Sequence, residues 1–339
     1  MVWRRWLVNV KQLIRTVNFT LKQNDLFPEH SRILVACSGG PDSMALLHLL
    51  LDIAAHRHIH WHIGVAIMDH QIRRESKAEV LWLQDRVKAL NLDFYNVAID
   101  VPAFSMERKI SIETVGRDIR YEWLTDLARA KRYDYIAVAH HKNDQAESIL
   151  AHLIRGSGMN GLQGMSVLSH SYAIPVVRPL LEVKKEALLA YLEERHISYC
   201  VDRTNDDIEY QRNRIRHCII PELEKINPAV IDSLGRMARS ITEDMEFLQQ
   251  MAQEVFDTLI SVDDRSCTVS RRRLRQQPMA LQRRLWQMMV RVVDNRLILS
   301  FAHQAQLSDI VQTGEVKTFT IARIIIEARC DTIKVYSKH

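Results

Sequence analysis

The sequence has few of the residues that build disulfide frameworks and zinc ribbons. Its 339 residues include only five cysteines, which are Cys37, Cys200, Cys218, Cys267 and Cys330. They are widely spaced, and none forms a C-x-x-C pair. An odd number of scattered cysteines excludes a disulfide framework and is typical of a reducing compartment. We therefore expect a cytoplasmic protein that is held together by a hydrophobic core.

Long apolar runs are also missing. No uncharged run approaches the ~20 residues of a membrane-spanning helix. The first 22 residues carry five Lys or Arg and no acidic residue, but they lack the apolar core and cleavage site of a signal peptide and the serines of a transit peptide. Apolar residues from Leu7 to Val17 recur at helical spacing, which predicts an amphipathic helix within residues 1–30.

Neither sign of charge dominates the whole chain. There are 46 Lys and Arg against 41 Asp and Glu, and 47% of the residues are hydrophobic, which excludes disorder as the main architecture. Residues 271–339, however, hold 13 Lys and Arg against 5 Asp and Glu. This concentration, which includes Arg271, Arg272, Arg273 and Arg275, indicates either a solvated face or a contact with nucleic acid.

Short apolar runs alternate with helical periods between residues 33 and 155. The predicted strands are 33–37, 63–68, 94–99 and 135–139, and the predicted helices are 43–55, 77–90, 112–131 and 144–155. Unbroken apolar strands separated by helices predict an α/β fold with a doubly wound, mostly parallel, Rossmann-like sheet. In such a fold, ligands bind beyond the carboxyl ends of the strands.

After Pro221 the pattern changes to a long helical period over 229–260, and the basic region follows it. We therefore expect four segments. They are an N-terminal helix (1–30), an α/β catalytic domain (31–220), a helical linker (221–264) and a small basic C-terminal domain (265–339).

Two adjacent glycines follow the first predicted strand, in a chain with only ten glycines. The segment is Ser38-Gly39-Gly40-Pro41-Asp42-Ser43, called here the phosphate loop. Glycine lets a phosphate approach the backbone closely, and the amides at a helix start attract anions. The loop has no lysine and does not read G-x-G-x-x-G, so it is neither a Walker A loop nor a dinucleotide fingerprint.

The string S-G-G-x-D-S after a first strand resembles the PP-loop ATP pyrophosphatases. That resemblance implies that the phosphate loop binds ATP with Mg²⁺. It also implies that the enzyme cleaves ATP between the α- and β-phosphates and adenylates an oxygen of its substrate.

Three further motifs lie between the second predicted strand and the helix after the fourth. Asp69-His70 ends the second strand, and Glu113, Arg117 and Arg120 share a helix with Tyr121. The segment 140–148 reads HHKNDQAES, in which Asp144 and Glu147 are neighbours at i, i+3. Two close carboxylates can hold Mg²⁺, bind an ammonium group or take its proton.

Arginines mark the remaining motifs. Arg155 opens a segment with four glycines, and Arg178-Pro179-Leu180-Leu181 follows. The segment 202–206 (DRTND) then precedes Arg212, Arg214 and Arg216, which are three guanidinium groups at a spacing of two. Arginine suits phosphate because its fork donates two parallel hydrogen bonds.

Together these motifs, from about residue 32 to 228, are similar to the tRNA(Ile)-lysidine synthases. The resemblance implies adenylation at C2 of the wobble cytidine (C34) in the CAU anticodon of tRNA(Ile). Free L-lysine then joins that carbon, with release of AMP and pyrophosphate. Asn143 stands where the family has an acid.

The resemblance also assigns roles to residues. It implies catalytic roles for Asp42, Asp144, Glu147 and Arg212, and a Mg²⁺ site at Asp42 and Asp144. It implies cofactor contacts from Ser38, Gly39, Gly40, Pro41, Asp42, Ser43, Asp69 and His70. The implied substrate contacts are Arg117, Arg120, His140, Arg155, Arg214 and Arg216.

Three alternatives stay open. A PP-loop enzyme that thiolates tRNA would need a cysteine pair or an iron–sulfur cluster, and there is no C-x-x-C. A non-catalytic RNA-binding protein could keep an ATP loop, although Asp42, Asp144 and Glu147 argue against it. Separately, the alternating His56, His58, His60 and His62 could either form a metal site or simply precede the second strand on the surface.

Overall fold

The structure, a computed structural model, describes residues 10–71, 76–201, 211–313 and 315–337. The chain divides into two compact units, Met1–Arg239 and Ser240–His339. This division falls inside one 30-residue helix, Val230–Leu259, and coincides with neither predicted boundary, near residue 220 or near residue 264. A continuous helix carries no composition signal at its middle, and the four-segment division stays a prediction.

The first unit is built on a six-stranded sheet with the order β3-β2-β1-β4-β6-β5. Its strands are β1 (Arg32–Ala36), β2 (His62–Asp69), β3 (Asp93–Ala98), β4 (Tyr135–Ala137), β5 (Leu168–Ser169) and β6 (Val176–Val177). Every neighbouring pair is parallel except β5 with β6. The predicted doubly wound, mostly parallel sheet is therefore confirmed.

Helices connect these strands and continue beyond them. They are α1 (Val10–Gln23), α2 (Pro41–Arg57), α3 (Ser76–Ala89), α4 (Val101–Arg108), α5 (Ile112–Ala130), α6 (Lys142–Ile154), α7 (Met159–Leu162), α8 (Lys185–Glu194), α9 (Gln211–Arg214), α10 (Ile220–Ile226) and α11 (Val230–Leu259). A π-helical stretch, Ile215–Ile219, joins α9 to α10. Within the described residues, no helix has both the length and the apolar character that a bilayer crossing requires.

Successive residues of β1 point to opposite faces of the sheet, and both faces are covered. Ile33 and Val35 pack in the core cluster that contains α2 and α8, whereas Leu34 packs in the cluster that contains α5. All three side chains are fully buried. The strand is therefore anchored on both sides, and its carboxyl end delivers the phosphate loop to a fixed place.

The second unit has its own antiparallel sheet with the order β7-β8-β11-β10-β9. Its elements are β7 (Ile260–Asp263), β8 (Ser266–Ser270), α12 (Arg271–Arg275), α13 (Met279–Val293), α14 (Phe301–Thr313), β9 (Lys317–Ile321), β10 (Ile324–Ala328) and β11 (Thr332–Ser337). Trp286 on α13 is fully buried in a core shared with strands of this sheet. A hydrophobic core of its own makes this unit a small α+β domain.

The arginine run of α12 separates into a structural and an exposed part. Arg271 is 3% exposed, and its guanidinium donates to the carbonyl oxygens of Arg329, at 2.9 Å, and of Ile310. Arg272 and Arg273 are exposed. The sequence offered Arg271 as a candidate nucleic-acid contact. In the structure its guanidinium instead joins α12 to the backbone at Ile310 and at Arg329.

This division predicts different results for neighbouring arginines. Arg271→Ala should lower the free energy of unfolding of the second unit by about 1–3 kcal/mol, because the carbonyl oxygens of Ile310, which is buried, and of Arg329 lose their donor. The matched control Arg272→Ala should leave stability within about 0.5 kcal/mol of the wild type. Hydrogen exchange of peptides from residues 266–337, measured by mass spectrometry, compares the two. Equal protection in the two variants would contradict the structural role of Arg271.

Candidate active site

The phosphate loop is closed by hydrogen bonds between its own residues. The hydroxyl of Ser43 donates to the carbonyl oxygen of Gly40 at 3.0 Å and accepts from the amide of Ser38 at 3.2 Å. Gly39 has a φ of +80°, a left-handed conformation that favours glycine. Gly40 caps α2, and Pro41 occupies its first turn. The loop therefore presents a helix start, which is a suitable place for an anion.

Asp42 extends from this loop toward the start of α6. Its Oδ2 lies 3.5 Å from Nε2 of His141 and 3.8 Å from Nζ of Lys185. Its Oδ1 is buried and has no hydrogen-bond partner among the described residues. A buried carboxylate oxygen without a donor, next to a phosphate site, fits the hard oxygen ligand that Mg²⁺ requires. The residues present therefore fit that ion.

His141 connects Asp42 to Asp144 through a capping box. The amide of Asp144 donates to Nδ1 of His141 at 3.2 Å, and the amide of His141 donates to Oδ2 of Asp144 at 3.0 Å. Because Nδ1 accepts, the remaining ring proton lies on Nε2, on the side of Asp42. His141 is 1% exposed, so it links the phosphate loop to α6 from a fixed position.

Asp144 and Glu147 are bound by two arginines from residues 211–219. Arg212 donates to Oε2 of Glu147 and to Oδ1 of Asp144, both at 2.8 Å. Arg216 donates to the two oxygens of Glu147 at 2.6 and 2.9 Å and to Asp144 at 3.3 Å. We call these four residues the charge cluster. Two carboxylates and two guanidinium groups make it neutral overall.

The two carboxylates of the charge cluster are buried, whereas its two arginines are partly exposed. Burial opposes the ionisation of Asp144, but the nearby His141 and Arg212 outweigh burial, and its pKa lies below its usual range. Burial likewise favours the neutral form of Arg212 and Arg216, but the two carboxylates hold the pKa values of both above the usual range. The side chain of Glu147 is 1% exposed. Removing one charge would therefore leave another buried without compensation.

The helical turn explains why Arg214 is not part of this cluster. Residues 212 and 216 lie four apart and share one face, whereas residue 214 lies on the other side. Arg214 is exposed, and so is Arg155 at the C-terminal end of α6. Within the described part of the chain, neither side chain contacts the charge cluster. Their role as substrate contacts stays a prediction.

His140 lies beside the cluster and is held by an arginine. It accepts at Nδ1 from Nε of Arg178 at 3.2 Å, and Arg178 also donates to the carbonyl oxygen of Ser166 at 2.9 Å. Burial lowers the pKa of His140 to about 3, with Arg178, Arg212 and Arg120 acting in the same direction. His140 is therefore a neutral imidazole at physiological pH.

Two side-chain amides on α6, those of Asn143 and Gln145, bind the start of α8 and the glycine-rich segment that begins at Arg155. Asn143 accepts at Oδ1 from the amide of Lys185 at 3.1 Å, at the start of α8. Gln145 exchanges two hydrogen bonds with the backbone of Met165, at 2.7 and 3.0 Å. The amide at position 143, where the resemblance expects an acid, thus satisfies a donor at the start of another helix. The glycine-rich segment is tied to α6 through Gln145.

The other predicted residues lie along β2 and α5. Asp69 is buried at the end of β2 and accepts from the amide of Gln71 at 2.8 Å. Burial lowers the pKa of the neighbouring His70. The guanidinium groups of Arg117 and Arg120 lie 5.1 and 5.5 Å from the ring centre of Tyr121. The segment 202–206 falls outside the described residues.

Sequence reasoning left three contributors out of the site. His141 stood in the HH string, and Arg178 stood in the R-P-L-L motif, so both carried a signal that was not used. Lys185 had none, since a lysine in the first turn of a helix is an ordinary surface residue. Only the fold places Lys185 beside Asp42.

A phosphate loop at the end of β1 and a buried charge cluster at the end of β4 define the class of protein. The chain belongs to the PP-loop domain family, whose family model matches residues 10–223. The family is one of ATP-binding domains, in agreement with the predicted ligand of residues 38–43.

Several relatives are tRNA(Ile)-lysidine synthases. The chain is 37% identical over 223 residues to that of Thermosipho africanus, covering 66% of this chain and 51% of the relative. It is 32% identical over 310 residues to that of Bacillus subtilis, covering 90% of this chain and 64% of the relative. The chain thus spans between about half and two thirds of the length of these relatives.

The solved structure of the U34-tRNA thiolase NcsA from Methanococcus maripaludis, with its [4Fe-4S] cluster, is similar in fold. Its TM-score is 0.57 at 18% identity, and the match covers 69% of this chain and 78% of that chain. At this identity the likeness supports the α/β fold alone.

The low pKa of His140 predicts a pH dependence of stability. In the unfolded chain, a histidine takes up its proton near pH 6.5, whereas His140 in the fold does so only at about 3. The unfolded state therefore binds more protons between these values. The free energy of unfolding should fall as pH drops through that window, by up to about 1.4 kcal/mol per pH unit.

The variant His140→Gln tests this dependence, since glutamine can accept from Arg178 without titrating. Urea unfolding between about pH 4.5 and 7 should give a shallower slope for His140→Gln than for the wild type. The exposed His56, changed to Gln, serves as the control and should keep the wild-type slope. Identical slopes for all three proteins would refute a buried neutral His140.

Proposed function

We propose that this chain is an ATP-dependent ligase that joins lysine to C2 of the wobble cytidine in the CAU anticodon of a tRNA(Ile). The observation that carries the proposal is the connection of the phosphate loop, through Asp42 and His141, to the buried cluster of Asp144 and Glu147. The names of the relatives from Thermosipho africanus and Bacillus subtilis support the choice of acceptor.

The first step is adenylation at the phosphate loop. The triphosphate binds at the start of α2, and O2 of the cytosine attacks the α-phosphorus. A bond between that oxygen and phosphorus forms as the bond to pyrophosphate breaks. Asp42, through its Oδ1, would hold Mg²⁺, which would supply positive charge to the phosphates. Lys185, 3.8 Å from Asp42, and Arg212 balance the negative charge of the leaving pyrophosphate.

The second step is displacement by lysine. The ε-amine attacks C2 of the adenylated base, the bond from C2 to the adenylated oxygen breaks, and AMP leaves. The amine must lose a proton, and Asp144 or Glu147 accepts it. The carboxylates also attract the ammonium group of lysine before it reacts.

The arginines of the charge cluster set the order of these steps. Asp144 and Glu147 are already neutralised, so lysine binds strongly only when a guanidinium group withdraws. Arg212 suits this role, because 39% of its side chain is exposed against 25% for Arg216. In the proposed cycle Arg212 moves to the phosphates when ATP binds, and the carboxylates then become available to lysine or, at Asp144, to a second Mg²⁺ contact.

The anticodon base must leave its stack before C2 can be attacked. Arg117 and Arg120 on α5 and His140 beside the cluster are the proposed contacts for it, with Asp69 and His70 toward the nucleotide. The exposed Arg155, Arg214, Arg272 and Arg273 would contact phosphates of the tRNA. Such contacts make binding strongly salt-dependent.

The thiolation alternative fits the chain less well. The thiolase that shares its fold holds a [4Fe-4S] cluster, and such clusters are bound by several cysteine thiolates. None of the five cysteines, all within the described residues, forms a disulfide, and Cys37 and Cys267 are buried. Among the described residues, the group found with metal-ligand spacing contains no cysteine.

Single-turnover reactions test the proposal. The protein is incubated with Mg²⁺, ATP labelled at the α-phosphate and a CAU-anticodon tRNA, with or without labelled lysine. We expect adenylated tRNA when lysine is absent, and AMP with lysine label in the tRNA when it is present. Asp42→Asn should slow adenylation by about 10²-fold or more. Glu147→Gln should keep adenylation and lose lysine transfer.

Exposed Asp85→Asn on α3 is the matched control for both variants and should react like the wild type. Circular dichroism melts establish that each variant is folded. Adenylation without lysine incorporation would keep the PP-loop chemistry and reject lysine as the acceptor. Binding of tRNA with no AMP under any condition would favour the RNA-binding alternative.

A further inference from the structure

The alternating histidines before β2 separate into three environments. His56 lies exposed in the last turn of α2. His62 pairs with Asp93 at 3.0 Å. His60 instead faces Glu29 and His30, which precede β1. Of the four histidines that the sequence offered as a metal site, only His60 belongs to a group with metal-ligand spacing among the described residues. The other two members of that group come from another loop.

These three side chains have the spacing of metal ligands. Oε1 of Glu29 lies 3.6 Å from Nδ1 of His60 and 3.9 Å from Nε2 of His30. The three ligand atoms all lie within 4.8 Å of one another. Ligands at ~2.0–2.1 Å from a tetrahedral zinc ion are separated by about 3.4 Å. The three side chains are exposed and can reorient toward that geometry.

The two loops that carry these ligands are fixed to each other. The amide of His62 donates to the carbonyl oxygen of Ser31 at 3.0 Å. The indole of Trp61 donates to the carbonyl oxygen of Phe27 at 3.0 Å and packs edge-on against the Phe27 ring at 5.7 Å. Because the backbone is held here, little ordering is needed when an ion binds.

We propose that Glu29, His30 and His60 form a binding site for Zn²⁺, with a fourth position left to water. Two imidazoles and one carboxylate are ligands for zinc and its neighbours in the transition series, whereas Mg²⁺ prefers oxygen alone. The site lies at the amino ends of β1 and β2, opposite the phosphate loop. An ion there joins the loop before β1 to the loop before β2 and stabilises the first unit.

Isothermal titration of the untagged full chain with Zn²⁺, in the presence of millimolar Mg²⁺, tests the site. We expect one zinc ion that Mg²⁺ does not displace. Co²⁺ should give the visible absorption of a four-coordinate site. His30→Ala and His60→Ala should each weaken zinc binding by at least about tenfold, and zinc should raise the melting temperature of the wild type but not of these variants.

His56→Ala is the matched control, because it removes an exposed histidine from the same run and should bind zinc like the wild type. Glu29→Gln should weaken binding without changing the fold. Unchanged zinc affinity in both His30→Ala and His60→Ala would overturn the proposal, as would displacement of zinc by Mg²⁺. These readouts do not involve ATP or tRNA, so they are independent of the proposed ligase activity.

Discussion

The first unit depends on the pairing of two buried carboxylates, Asp144 and Glu147, with Arg212 and Arg216. Buried charges are costly to remove from water, and their attraction compensates only when every partner is in place. Five hydrogen bonds between 2.6 and 3.3 Å meet that condition. Alongside them, Ile215 packs with Ala146 and Leu150. The segment after residue 210 is therefore fixed to α6 by charge and by apolar contact together.

The same pairing connects stability to chemistry. His141 caps α6 through Asp144 and faces Asp42 on the phosphate loop, so the two ends of the site share one rigid connection. Moving a charged group that stabilises the fold costs free energy. The proposed movement from the carboxylates to the phosphates of ATP is therefore assigned to Arg212, which is more exposed than Arg216. Arg216, which donates to both oxygens of Glu147 and to Asp144, stays in place, so that one guanidinium group then faces two carboxylates.

Local signals in the sequence explain what could be predicted. Apolar strands, the adjacent glycines and the i, i+3 carboxylates each depend on a few neighbouring residues, and β1, the phosphate loop and α6 follow from them. The pairing of Asp144 with Arg212 spans 68 positions and has no local signal. Strands β5 and β6 have two residues each, which is too short to show an alternation of apolar and polar residues in the sequence. The sequence indicates a surface charge at Arg271, because its hydrogen-bond acceptors are backbone carbonyl oxygens of distant segments and leave no signal near residue 271.

The two ends of β1 and β2 carry chemistry of different kinds. Beyond the carboxyl end of β1, the half-buried Asp42 faces the buried His141. Each has one buried atom without a hydrogen-bond partner among the described residues. At the amino ends, Glu29, His30 and His60 are exposed and adjustable, and only their backbones are held. A reacting phosphate needs groups in fixed positions, because preorganised groups do not have to reorient as charge develops. An ion that only joins two loops can be bound by exposed side chains that adjust their positions. A single sheet can therefore support both sites, since neither requires movement of the strands between them.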